Sequence, residues 1–99
     1  MNNGNNEIKT NINMPQISNF FGIIIRMFYD EHNPPHFHAQ YGEHKCCIDI
    51  RTLGVIEGYL PPRVLGLVVE WAILNKEKLL NNWQNIEQKK PLLKIEPLQ

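Results

Sequence analysis

The spacing of apolar residues changes at Pro61 and Pro62, and this change limits the folds that the chain can adopt. Before the prolines, apolar and polar residues alternate with a period of two, as in strands that bury one face. After them, apolar residues recur at helical spacing, and prolines suit the first turn of a helix because its amide hydrogens have no helical partner. The pattern predicts an α+β fold: an antiparallel meander of three to four strands, followed by two C-terminal helices, or one bent helix, packed on one face.

Composition and turn residues predict where the strands lie. Residues 20–29 read FFGIIIRMFY and are apolar at nearly every position, which is typical of a central strand. Turn residues follow, and two further strands are predicted at residues 36–41 and 45–50, around a tight turn that begins with Gly42. A short fourth strand is predicted at residues 55–60.

The rest of the chain divides into two helices and two tails. Helices are predicted at residues 63–74 and 76–88, with Asn75 as the N-cap of the second one. Residues 1–13 include six Asn and only two aliphatic side chains, which predicts a disordered polar tail before one domain over residues 14–99. The C-terminal run KKPLLKIEPLQ is predicted to be extended along an edge that the pattern does not identify.

Composition excludes several classes of protein. The 99 residues fit one small domain, and ten basic side chains balance ten acidic ones, so overall charge does not favour nucleic acid or an anionic membrane. No apolar run reaches the roughly 18 to 20 residues of a membrane helix, and the start lacks the apolar core of a signal peptide, which predicts a cytoplasmic protein. Cys46 and Cys47 are adjacent, so a disulfide framework is not expected.

The predicted hairpin sorts the central residues onto two faces. With Gly42 and Glu43 as its turn, His36 lies opposite Asp49, and His38 lies opposite Cys47. The face toward the helices carries Phe37, Ala39, Tyr41, Cys46, Ile48 and Ile50. The other face is polar and carries His36, His38, Gln40, Lys45, Cys47, Asp49 and Arg51.

Three histidines near this polar face make it the candidate site, because imidazole can act as an acid or base, bind phosphate or ligate a metal. The catalytic candidates are His32, His36, His38 and Asp49. The ligand-binding candidates are Arg26, His36, His38, Lys45 and Arg51. The metal-ligand candidates are His32, His36 and His38, although their spacing lacks the groupings of structural zinc sites and no cofactor is assigned. Two alternatives remain. In the first, the histidines are ordinary solvent-facing strand residues. In the second, Cys47 is a nucleophile beside His38.

Several segments of the chain resemble a family of short bacterial proteins of unknown function. The resemblance rests on MPQISNFFG at residues 14–22, HNPPHFH at residues 32–38 and further matches as far as residue 98. It implies a partner protein encoded in the neighbouring gene, in a two-gene unit similar to toxin-antitoxin pairs. It implies no activity, and the pattern does not include cysteines at positions 46 and 47.

Two functions therefore remain open. The first is a small interaction module, one component of a toxin-antitoxin-like pair, that binds its partner or a second copy through the apolar helices that carry Trp71 and Trp83. The second is a small RNA-directed, nuclease-like enzyme or a metal-binding protein that uses the histidine-rich hairpin face. The sequence does not decide whether the protein is an enzyme.

Overall fold

A computed structural model describes residues 15–99, so the predicted disordered tail at residues 1–13 lies outside the described residues. The strands are β1 (Gln16–Phe20), β2 (Ile23–Arg26), β3 (His36–Tyr41), β4 (His44–Asp49) and β5 (Val55–Gly58). The helices are α1 (Pro62–Leu74) and α2 (Lys76–Glu87). None of the helices in this part of the chain is long and apolar enough to cross a membrane.

The α+β architecture is confirmed, but the strand number is not. The described residues form one antiparallel sheet of five strands in the order β1-β2-β3-β4-β5, where three to four were predicted. The difference arises because residues 20–29 are not one strand. Phe21 and Gly22 form a two-residue turn with φ of 53° and 79°, and Phe20 pairs with Ile23 across it. Positive φ at both positions suits such a hairpin, but an aromatic residue is unusual there and concealed the turn.

The β3–β4 hairpin has the predicted register. His36 lies opposite Asp49, His38 opposite Cys47, and Tyr41 opposite His44. Gly42 has a φ of 60°, a conformation that glycine adopts at little cost in a tight turn. The tight turn therefore fixes which side chains share a face.

The inner face of the sheet packs against the helices, as predicted. Trp71 of α1 is fully buried, and its ring centroid lies 5.8 Å from that of Phe37 and 5.4 Å from that of Phe20. The predicted inner residues of the hairpin are buried apart from Tyr41, which is 38% exposed at the end of β3. The helices cover this face and leave the opposite, polar face available for a site.

Asn75 separates the two helices, but it does not cap the second one as predicted. Its side-chain nitrogen donates a hydrogen bond to the Trp71 carbonyl oxygen (2.8 Å), and its side-chain oxygen accepts none from an amide of α2. The same carbonyl also accepts from the Asn75 backbone amide (3.1 Å), so the side chain adds a second hydrogen bond at the end of α1.

The C-terminal segment is extended and lies against β1, which resolves the edge that the sequence left open. The amide of Ile95 donates to the Ile17 carbonyl oxygen at 2.8 Å. The indole Nε1 of Trp71 donates to the Glu96 carbonyl oxygen at 2.8 Å. The amide side chain of Asn82 binds both backbone groups of Leu93, at 2.8 and 2.9 Å.

Candidate functional site

Three side chains on the outer face of the sheet bring metal-ligating atoms together. His36 and His38 come from β3, and Cys47 comes from β4 opposite His38. One ring nitrogen of each histidine and the Cys47 sulfur all lie within 4.8 Å of one another. Residues two apart on a strand share a face and cross-strand partners are close, so the hairpin register alone produces this cluster.

Glu31, in the loop between β2 and β3, completes the cluster. Its Oε1 atom lies 3.2 Å from His36 Nε2 and 2.5 Å from His38 Nε2. Burial acts to raise the pKa of Glu31, but the hydrogen bonds and positive charge of His38 and His36 outweigh it, so the pKa lies below its usual 4.5. Glu31 is therefore an ionised carboxylate at neutral pH, in contact with both imidazoles.

His36 is held in one orientation by its surroundings. It was expected to face solvent, yet it is only 8% exposed, because Glu31 lies against it and the Trp83 ring lies at a centroid distance of 5.2 Å. Its Nδ1 lies 2.7 Å from the Pro34 carbonyl oxygen. A carbonyl oxygen only accepts, so Nδ1 carries a hydrogen. Nε2 is therefore the atom directed at Glu31, and the contact is favourable when Nε2 is protonated or binds a cation.

His38 contacts both Glu31 and Cys47. Its ring stacks on Phe28 at a centroid distance of 4.3 Å, and its Nε2 donates to the Glu31 carboxylate. The Cys47 sulfur lies 3.6 Å from Nδ1 and 3.8 Å from Nε2 of the same ring. Because the sulfur is almost equally distant from the two ring nitrogens, it does not lie along the direction of the Nδ1 lone pair.

Cys47, His38 and Glu31 are the residue types of a nucleophile, a base and an orienting carboxylate. Two observations disfavour that chemistry. The sulfur is poorly aligned with the imidazole, and burial, with the nearby charges of Glu31 and Glu57, raises the pKa of the Cys47 thiol to about 11. A thiol is a weak nucleophile while it remains protonated.

The remaining predicted catalytic residues lie outside this cluster. His32 is exposed in the turn before β3 and is not one of the three residues of the cluster. Asp49 has the predicted strand partner, but its Oδ1 accepts hydrogen bonds from the amides of Arg51 and Thr52, at 2.7 and 3.0 Å. It stabilises the turn after β4 and does not orient His36, a position that Glu31 takes.

Two of the three predicted basic residues flank a recess beside His38. Arg26 lies opposite His38 on one side of β3, and Lys45 lies opposite Gln40 on the other. Both line a recess of about 170 Å³ that also includes His38 and Phe28. Arg51 lies instead in the exposed turn after β4, where its carbonyl accepts a hydrogen bond from Lys76.

Glu31 is not among the residues predicted for the site, because the run DEHNPP has the composition of a turn. One signal is available in the sequence. Glu31 shortly precedes His36 and His38, which share one face of the predicted strand. The loop conformation that returns this carboxylate over β3 is not encoded in that spacing.

Residues 22–84, more than half of the chain, match the family described as a domain of unknown function, DUF4160. The chain belongs to this family. The match confirms the family class that the sequence resemblance indicated, and it includes Glu31, both clustered histidines and Cys47. Neither the curated proteins nor the solved structures gave a match to this chain.

Proposed function

We propose that this DUF4160 domain binds a divalent transition metal of the zinc class through His36, His38 and Cys47. The observation that carries the proposal is the orientation of His36. Its Nδ1–H is donated to a backbone carbonyl, and its Nε2 is directed into a cluster that holds a second imidazole, a sulfur and a carboxylate. Metal-bound histidines commonly donate their other ring nitrogen in this way, which fixes the tautomer and the ring direction.

The distances within the cluster are close to those of a small tetrahedral site. Zinc binds nitrogen at about 2.0 to 2.1 Å and sulfur at about 2.3 Å, so ligand atoms in a tetrahedral site lie roughly 3.3 to 3.6 Å apart. His38 Nδ1 lies 3.6 Å from the Cys47 sulfur, and the ligand atoms of the three residues all lie within 4.8 Å of one another. The side chains must therefore move closer together to receive the ion.

The ligand types favour zinc over magnesium or calcium. Imidazole and thiolate are preferred by zinc, copper and cobalt, whereas magnesium and calcium prefer oxygen. The Glu31 carboxylate lies against both imidazoles and offsets part of the charge of the metal. With three protein ligands, a fourth position remains for water or a ligand oxygen, as in catalytic zinc sites.

The test is metal titration of the untagged, reduced full-length chain after chelation. We expect one Co²⁺ per chain, with a thiolate charge-transfer absorption and the intense visible bands of tetrahedral cobalt, and displacement by Zn²⁺. His38→Ala should weaken binding by at least tenfold, and Cys47→Ser should abolish the charge-transfer band. Glu31→Gln should keep the stoichiometry and weaken affinity by about 10- to 100-fold.

Matched variants provide the controls. His44→Ala removes a histidine of the same hairpin that contacts the Tyr59 ring and lies outside the cluster. Cys46→Ser changes the adjacent, inward-facing thiol. Both should bind cobalt like the wild type, as should His32→Ala. Binding that is lost in His32→Ala and kept in His38→Ala, or no stoichiometric binding to folded wild-type protein, would overturn the proposal.

The interaction module stays a second proposal. Supporting it, Ile73 and Leu74 at the end of α1 are 60% and 70% exposed. The apolar surface free for a partner is nevertheless smaller than the sequence suggested, because Val64, Val68 and Trp71 pack into the core of the domain itself. The toxin-antitoxin-like gene pair, the bacterial source, the cytoplasmic location and the homodimer remain predictions. Co-expression with the neighbouring gene, scored for a complex that Leu74→Glu disrupts, tests this proposal.

A further inference from the structure

The recess beside the proposed metal centre has a composition suited to an anion. Arg26 approaches it from β2 and Lys45 from β4, on opposite sides of β3. Among residues 15–99, the ion pairs found join Glu31 to His36 and to His38, so neither Arg26 nor Lys45 has an acidic partner there. Two cations that line the same recess and have no ion-pair partner attract anionic ligands.

The rest of the recess favours an ester over a bare anion. Ile24 and Phe28 provide an apolar wall, and Gln40, whose side-chain nitrogen donates to the Gly42 carbonyl oxygen, adds a polar side chain to the lining. Arginine binds phosphate oxygens through its planar fork of donors, and lysine binds them as a point charge. An organic group joined to a phosphate would use both parts of this lining.

We propose that the recess binds the phosphate group of a phosphate ester, with Arg26 and Lys45 holding its oxygens beside the metal. The inference rests on the proposed metal centre, because His38 lines the recess and is also one of the three metal ligands. Because His38 is common to the recess and the cluster, an ester held at Arg26 and Lys45 would lie beside the metal centre. A free nucleotide and single-stranded RNA carry the same phosphate ester chemistry, and the experiment separates them.

The experiment measures binding to the zinc-loaded full-length chain by calorimetry, with three probes: inorganic phosphate, adenosine monophosphate and a short single-stranded RNA. We expect both esters to bind more tightly than inorganic phosphate. Preference for RNA with a steep loss of affinity in added salt identifies a nucleic acid ligand. Equal affinity of RNA and the mononucleotide, with weak salt dependence, identifies a small ligand.

Variants distinguish the recess from the metal centre. Arg26→Ala and Lys45→Ala should each weaken ester binding by about tenfold or more, as expected for a lost charge-assisted hydrogen bond, and leave the cobalt spectrum unchanged. Arg63→Ala and Lys78→Ala remove exposed basic residues of the helices and should leave ester binding unchanged.

Either of two outcomes would overturn the inference. One is the absence of ester binding by a protein with a normal cobalt spectrum. The other is ester binding that Arg26→Ala and Lys45→Ala do not weaken. Both outcomes leave the metal centre standing, whereas failure of the metal centre itself is recognised by the missing cobalt spectrum.

Discussion

Asn82 offers a direct test of how the C-terminal segment is held, because an identical residue stands beside it in a different environment. Asn82 is 1% exposed, donates to the Leu93 carbonyl oxygen at 2.8 Å and accepts from the Leu93 amide at 2.9 Å. Asn81 is exposed on the same helix. Replacing either with alanine raises helix propensity by the same amount, so this contribution cancels in the comparison.

The expected difference follows from the two hydrogen bonds. Each contributes about 1 kcal/mol to the free energy of unfolding, so Asn82→Ala should be about 2 kcal/mol less stable than Asn81→Ala. For a domain of this size, the difference corresponds to roughly 8 to 16 °C in Tm. Urea unfolding followed by the fluorescence of the two tryptophans measures it, and hydrogen exchange should show faster exchange of the Leu93 amide in Asn82→Ala alone. Equal stability of the two variants would refute the role assigned to Asn82.

Three further perturbations test the core, the sheet and the cluster. Trp71→Ala should lower the free energy of unfolding by about 3 to 5 kcal/mol in urea unfolding, since the ring is fully buried; a loss below 1 kcal/mol would contradict its placement. Gly58→Ala should destabilise the protein, because the new Cβ would lie 2.2 Å from the Lys45 carbonyl oxygen and the residue has a φ of 89°. Gly66→Ala should instead stabilise it by about 0.5 to 1 kcal/mol, because open space surrounds this position in α1. The lowered pKa of Glu31 predicts that, without metal, the wild type is more stable than Glu31→Gln above pH 4.5. This difference in stability should disappear as the pH falls through the folded-state pKa of Glu31. A difference that persists at about pH 2 would argue against the ion pairs.

The sequence predicted those parts of the fold that depend on local patterns. The Gly42 turn fixed the register of β3 and β4, and the proline pair marked the start of α1. It failed where a turn is formed by a residue type that does not usually mark one. Residues 20–29 look like one buried strand because Phe21 is apolar, yet its positive φ places it in a turn, where it is exposed.

The candidate site was likewise predicted only where it depends on a local pattern. His38 and Cys47 were paired correctly because cross-strand partners follow from the register alone. Asp49 was predicted to orient His36 on that basis, but its carboxylate is closer to the amides of its own turn, which a short side chain reaches easily. Glu31 reaches the histidines only through the three-dimensional course of a loop, which periodicity does not describe.

The inner face of the sheet contributes to the stability of the fold, and the outer face carries the proposed metal ligands. His36 contributes to both. Inner residues such as Phe37 and Trp71 are buried in the core, whereas His38 and Cys47 are half-buried on the outer face. Substitutions of the outer pair should therefore change metal binding more than folding. His36 packs against Trp83 and also directs Nε2 into the cluster, so His36→Ala should change both. A loss of metal binding in His36→Ala alone would not separate the two effects, and His38→Ala is the variant that decides between a metal centre and a structural histidine.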